Sequence, residues 1–269
     1  MVLGLAAVCR VFAILRSADH KRHSRRLLFH GSLAGMAAWC IWSSSSVTSM
    51  ACFFLGSVLI GATTCWSVAR RPAVLHVLVV SLILLAVYAS VLNPNMGIVS
   101  TMGKDPTLTG RTDVWQTVIP MTPDPWMGAG VESFWLGQRL KKLWEIFPWQ
   151  PNEAHNGYIE AYLNLGWIGL ILLGILLMSG YRRVISTFRH DRETGSLRLA
   201  FFVVVVVYNL TEAGFRIFNP VWIVFVLTIA ATFLPQRKIV KSTPGTRLSQ
   251  DFAEIGTPTE GSVVVLGRS

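Results

Sequence analysis

Six long apolar blocks, at residues 27–46, 48–66, 73–92, 161–180, 199–214 and 217–234, constrain this chain more than any other feature. A helix needs about 20 apolar residues to cross the hydrocarbon core of a bilayer, and the blocks reach or approach that length. Residues 1–16 are a marginal seventh. Arg10 interrupts their apolar run and no small-residue cleavage site precedes Lys21-Arg22, so they read as a short or incomplete membrane segment rather than a signal peptide. The blocks predict an all-α polytopic membrane protein with six to seven transmembrane helices. Composition agrees: 14% of the 269 residues are charged, against roughly 25% in soluble domains.

The charge pattern predicts an orientation. Arg16, Lys21, Arg22, Arg25 and Arg26 precede the first pair of blocks, and Arg70-Arg71 follow it. Arg182, Arg183, Arg189, Arg192 and Arg198 lie between blocks 161–180 and 199–214, and Arg237, Lys238 and Lys241 follow the last block. An even number of crossings separates these clusters, so the positive-inside rule puts them all on the cytoplasmic side. The net charge of +10 is thereby assigned to membrane loops, and no nucleic-acid partner is expected. The four cysteines, Cys9, Cys40, Cys52 and Cys65, all lie in apolar blocks without metal-ligand or redox spacing, and read as buried inert thiols.

Four segments follow from this reading. Residues 1–92 form N-terminal transmembrane helices, 93–157 a large extracytoplasmic loop containing short helices, 158–234 C-terminal transmembrane helices, and 235–269 a mobile cytoplasmic tail rich in Gly, Pro, Ser and Thr. The external loop is too rich in tryptophan and phenylalanine to be disordered, and long ordered loops are commonly functional. Thr109 is placed to cap a helix carrying Arg111, Trp115 and Val118 on one face, which Pro120, Pro123 and Pro125 end. Between Glu132 and Phe147, an apolar stripe of Leu136, Leu140, Leu143, Trp144 and Phe147 beside Arg139, Lys141 and Lys142 predicts an amphipathic helix in the membrane interface.

The chain contains no P-loop, HExxH, GxSxG or Asp-x-Asp, which removes support for nucleotide or metal chemistry; no cofactor is expected. Gly128-Ala129-Gly130 alone reads as a turn. Two residues of the loop can do chemistry. His155 precedes a helix that begins near Tyr158, and a helix N-terminus favours the neutral imidazole that suits a general base. Arg111, at a helix start beside an aromatic face, suits a phosphate or pyrophosphate. Local position alone favours a capping histidine and a snorkelling arginine. Glu212, at the outer end of a membrane helix with Arg216 four residues on, is either a site residue or half of a helix-end ion pair.

Taken together, several motifs form one connected pattern. Gly110-Arg111 and Trp115 are followed by Pro125-x-x-Gly128-x-Gly130-x-x-Ser133-Phe134. His155-Asn156-Gly157-Tyr158 then leads into Leu165-Gly166-x-x-Gly169. The pattern resembles the O-antigen ligase and polymerase family, including the exopolysaccharide polymerases, over roughly residues 105–180. A weaker likeness continues through Tyr208 to Glu212 and through Ser43 to Ser49. The resemblance implies a metal-independent glycosyltransferase of the bacterial inner membrane, its loop facing the periplasm or outside. The donor would be a polyprenyl-pyrophosphate-linked glycan, and the acceptor a glycan, a lipid A core or a protein hydroxyl. It places pyrophosphate binding on Arg111 and activation of the acceptor hydroxyl on His155. It also assigns substrate binding to Trp115, Asn156, Glu212 and Arg216.

Two departures stand out. Many relatives carry a basic residue in the Ser-rich stretch, where this chain has Ser46-Val47-Thr48; Arg139, Lys141, Lys142 and Arg216 are the candidate substitutes. Relatives also have ten or more crossings, so the resemblance implies an N-terminally shortened chain. The competing reading is a non-catalytic transporter or assembly subunit of a polysaccharide export system, or an inactive fragment of the family. Transport predicts charged or broken helices at mid-membrane, whereas most of the apolar blocks have clean interiors.

Overall fold

The tightest constraint on the fold is a break in its longest helix. In this computed structural model, which describes residues 1–16, 24–65, 71–89 and 107–230, the elements are helical throughout. They are α1 (Val2–Arg16), α2 (Ser24–Ser43), α3 (Val47–Thr64), α4 (Pro72–Val87), α5 (Thr107–Val118), α6 (Gly137–Ile146), α7 (Gly157–His190), α8 (Arg192–Tyr208) and α9 (Pro220–Ala230). All lie in the unit Met1–Phe233; the other unit, Leu234–Ser269, falls outside the described residues. So do the expected tail, residues 90–106, and Lys21, Arg22 and Arg70.

Local chemistry fixes the helix ends. Ser46 caps α3, its side chain accepting from the Ser49 amide. Pro72 opens α4 at a position where no amide is needed. Asn156 caps α7 by accepting from the amides of Tyr158 and Ile159, and Asp191 caps α8 through Thr194. α5 starts at Thr107, so Thr109 lies inside the helix rather than capping it.

The expectation of six to seven transmembrane helices is not met. Among the described residues, two helices are long and apolar enough to cross a membrane: Val47–Thr64 and Gly157–His190. The apolar blocks and the helices do not coincide. Block 199–214 contains only the end of α8, which stops at Tyr208 because Asn209 to Phe215 form turns. α8 has 17 residues, which at 1.5 Å per residue reach about 26 Å, short of the roughly 30 Å hydrocarbon core. Within the described residues α1, α4 and α9, with 15, 16 and 11 residues, are shorter still. α2 has 20 residues but opens on Arg25, Arg26 and His30 and is diluted by Gly31, Ser32 and Gly35. The inside–outside assignment therefore loses the crossing count on which it stood.

What holds the helices together is α8, which packs against α1, α3, α4, α7 and α9. Its Leu199, Phe202 and Val203 join Leu59, Leu75, Val79, Val184 and Phe225 in one core. Its Ala200 and Val204 join Leu5, Cys9, Cys52 and Ile60 in another. Outward-facing Trp39, Trp42, Phe54, Leu84, Leu85, Leu172, Ile175 and Leu227 stay exposed, the surface expected of helices that meet lipid. Cys9 and Cys52 are buried as expected, whereas Cys40 and Cys65 are exposed.

The segment 107–156 has its own core. Val114, Val118, Phe134, Trp135, Leu143 and Ala154 bury together with Leu163 of α7. The apolar stripe of α6 is used here: Leu143 is fully buried, and Leu140 and Phe147 pack against the cluster. The basic face stays outside, but the stripe faces protein rather than lipid, with only Leu136 and Trp144 left exposed.

This small unit is locked to α7 at the break. Gly166 has φ 62° and ψ −155° inside α7, which opens the helical hydrogen-bond ladder there. The segment Pro125–Gly130 fills the gap. Trp167 and Ile168 donate to the carbonyls of Pro125 and Trp126, while Ala129 and Gly130 donate to the carbonyls of Leu163 and Asn164. The Pro-x-x-Gly-x-Gly motif is thus more than a turn: it is the plug of a helix kink.

Candidate active site

Four segments converge where α7 begins. α5 supplies Arg111 and Trp115, four residues apart and so on one face. Residues 153–156 supply Glu153, His155 and Asn156. The turn between α8 and α9 supplies Thr211, Glu212 and Arg216, and the turns before α6 supply Glu132.

Backbone contacts fasten the α8–α9 turn to the start of α7. The Gly157 amide donates to the carbonyls of Asn209 (2.9 Å) and Glu212 (3.1 Å), and Asn156 Nδ2 donates to the carbonyl of Leu210 (3.0 Å). Thr48, at the start of α3, shares a 3.1 Å hydroxyl contact with Thr211. The Ser-rich stretch therefore does border the site, with a neutral hydroxyl where relatives were expected to carry a cation.

Glu212 stands between the two residues singled out in the sequence. Its Oε1 lies 3.9 Å from Arg111 Nη2 and its Oε2 lies 3.8 Å from His155 Nδ1. Arg111 also donates to the carbonyl of Thr211. His155 Nδ1 lies 2.9 Å from Glu153 Oε1, an ion-pair contact aimed away from the hydrogen-bond direction. The other oxygen of Glu153 accepts from Arg216 Nη1 at 3.2 Å, and Arg216 also forks onto Glu132, with Nε 3.0 Å from Oε1. Cations and carboxylates thus alternate from Arg111 through Glu212, His155, Glu153 and Arg216 to Glu132.

These neighbours reverse the expected state of the histidine. The Glu153 carboxylate, and after it Glu212, pushes His155 up to about 9; burial and Arg111 pull the other way and lose. His155, in turn, holds Glu153 below its ordinary value. The resting ring is an imidazolium at neutral pH, not the neutral imidazole that the helix N-terminus suggested. Nδ1 is the ring nitrogen that lies beside both carboxylates, so their charges act on the ring from that side.

The other expected residues divide. Asn156 spends its side chain on the α7 cap and on Leu210, and Trp115 donates its indole N–H to the Ala154 carbonyl at 2.7 Å. Arg216 pairs with Glu132 and Glu153 rather than with Glu212, so the helix-end pair does not form. Arg139 is committed elsewhere: it donates to the carbonyls of Ser133 and Phe134 and lies over the Phe134 ring. Sequence reasoning missed Glu153, Glu132 and Glu160. Glu153 carried a signal, a carboxylate two residues before the histidine; Glu132 carried none, because its partner is far along the chain.

An apolar groove leads away from this cluster. A cavity of about 280 Å³ has Glu132 and Arg216 at its polar lip and continues along Ala161, Leu165, Leu172 and Trp222. Among the described residues, no group of three or more His, Cys, Asp or Glu side chains is arranged to hold a metal ion.

Fold and site define a membrane-associated helical protein with a charged cluster at the head of an apolar groove. The chain belongs to the O-antigen ligase family: the family model described as O-Antigen ligase matches residues 31–174, more than half of the sequence. That span contains Arg111, Trp115, His155 and Asn156, whereas Glu212 and Arg216 lie beyond it. The exopolysaccharide production protein ExoQ of Rhizobium meliloti (strain 1021) is 31% identical over 191 residues, covering 64% of this chain and 42% of that protein. The chain thus spans less than half the length of this curated relative. No solved structure matches.

Proposed function

We propose that the chain is a glycosyltransferase that transfers or polymerises polyprenyl-pyrophosphate-linked glycan units at the outer face of the bacterial inner membrane. The observation that carries this reading is the meeting of Arg111 and His155 on opposite oxygens of Glu212. The apolar groove beside Arg216 adds a path for a lipid chain whose head lies at the cluster. The similarity to ExoQ favours production of a polymer over ligation to a lipid A core or a protein.

The chemistry needs three events. The acceptor hydroxyl oxygen attacks the anomeric carbon of the donor sugar. The bond from that carbon to the phosphate oxygen breaks, and the electron pair leaves with the polyprenyl pyrophosphate, whose charge Arg111 stabilises. The hydroxyl proton passes to Nε2 of His155, after the ring has released its resting proton to solvent; Glu153 and Glu212 stabilise the imidazolium that results.

Complementation of a polymer-deficient strain tests the reading. Restoration by this chain, and by neither Arg111→Ala nor His155→Ala, supports it. Equal restoration by all three removes the proposed site.

A further inference from the structure

Glu160 is a carboxylate with no place in the mechanism above, yet it is 2% exposed in the first turn of α7. Burying such a group demands partners. Glu160 has two, both donors. Trp135 Nε1 donates to its two oxygens at 3.0 and 3.1 Å, and the Ala154 amide donates to Oε1 at 2.6 Å.

On its other side, Ala154 is held as firmly. Its carbonyl accepts from Trp115 Nε1 at 2.7 Å. Ala154 itself is buried. Both polar groups of one residue are therefore gripped by side chains from two different helices. The residues on either side of it are Glu153 and His155. His155 has φ 49°, a left-handed conformation uncommon in residues other than glycine.

We infer that Glu160 is a positioning residue which, with Trp115, clamps Ala154 so that the His155 ring is set between Glu153 and Glu212. The role needs a carboxylate. Two N–H groups point at the same side chain, and its two oxygens accept both, although burial pushes the Glu160 carboxyl above its ordinary value. A glutamine whose oxygen stays at Oε1 would set its NH₂ group against the Trp135 indole N–H, donor against donor, where Oε2 now accepts. The inference rests on the reading of His155 as the site's histidine, and it assigns Trp115 to the same clamp rather than to the substrate.

The test is an NMR titration of ring-labelled histidine in the full chain, reconstituted in nanodiscs without substrate, with His155 assigned through His155→Gln. The groups facing the ring are Glu153, Glu212 and Arg111. The parent midpoint is expected near 9. Glu160→Gln and, independently, Trp115→Phe are expected to move it by at least one pH unit toward the free value of about 6.5. Trp144→Phe removes a similar indole-to-carbonyl bond, to Pro151, and is expected to leave the midpoint in place. A parent-like midpoint in folded Glu160→Gln overturns the inference. If that variant does not fold, a parent-like midpoint in Trp115→Phe does the same. Because no turnover is measured, the outcome is independent of whether the chain transfers glycan.

Discussion

Gly166 leaves no room for a side chain against Trp126. A β-carbon at position 166 would fall 2.3 Å from both the carbonyl carbon and the carbonyl oxygen of Trp126. The approach is reciprocal, since a β-carbon at Gly128 would fall 2.5 Å from the backbone of Asn164 and Leu165. Both glycines also have positive φ. The two glycine motifs of this chain are therefore two halves of one joint, by which the segment carrying Arg111 and Trp115 is fixed to the helix that follows His155.

Gly166→Ala is expected to be destabilising by about 2–4 kcal/mol, combining left-handed strain with a backbone clash. Thermal unfolding in detergent checks this. The exposed Gly31→Ala, where nothing lies near the added carbon, is the control and should leave the midpoint near that of the parent.

Gly157 makes a second joint. A β-carbon there would lie 2.0 Å from Asn209 Oδ1, while the Gly157 amide binds the carbonyls of Asn209 and Glu212. Gly157→Ala should detach the turn bearing Glu212 and Arg216, and lower transfer by more than about tenfold at any substrate concentration. Transfer within twofold of the parent would show that the turn is held by other contacts.

The charge on His155 gives a signed pH dependence. Its folded value is raised to about 9, so the ring is cationic below that pH and basic above it. If His155 takes the acceptor proton, the rate rises with pH and levels above about 9. A rate that instead falls through the same range would mark the imidazolium as an anion-binding group. Stability follows the opposite course. The contribution of the raised histidine is complete below its ordinary value of 6.5 and is lost as pH rises through about 9. Glu153, whose value is lowered, contributes above its ordinary 4.5 and loses that contribution as pH falls through its folded value.

Arg216 and the cations of α6 separate in the same assay. Arg216 sits at the lip of the apolar groove. Arg216→Gln is expected to reduce transfer about tenfold or more, the loss of one charge-assisted phosphate contact. The double variant Lys141→Gln, Lys142→Gln should stay within twofold, because those side chains border a different, open depression with Pro120 and Glu145.

Much of the candidate site was legible in the sequence, because the motifs that carry it are local. Arg111 and His155-Asn156-Gly157 each lie within a few residues of a helix start, and the Pro-x-x-Gly-x-Gly run lies in the loop between α5 and α6. The pairings were not legible: Glu212 stood out as a residue, but it and Glu132 reach His155 and Arg216 from distant parts of the chain. That distance is also why the local argument for a neutral histidine failed: a helix end acts weakly, and two carboxylates outweigh it. The membrane helices were overcounted for a different reason. Block 199–214 was drawn through Asn209, Thr211, Glu212 and Gly214, polar and turn-forming residues at which α8 stops and where the chain turns back onto α7.

The central claim is that Arg111 and His155 serve one reaction centre. It is tested most directly by purified chain in proteoliposomes supplied with a polyprenyl-pyrophosphate-linked glycan, measuring release of polyprenyl pyrophosphate together with the lengthened glycan. The parent should produce both in equal amounts, and Arg111→Ala and His155→Ala should each lower both at least a hundredfold. Parent-like release by either variant would contradict the account.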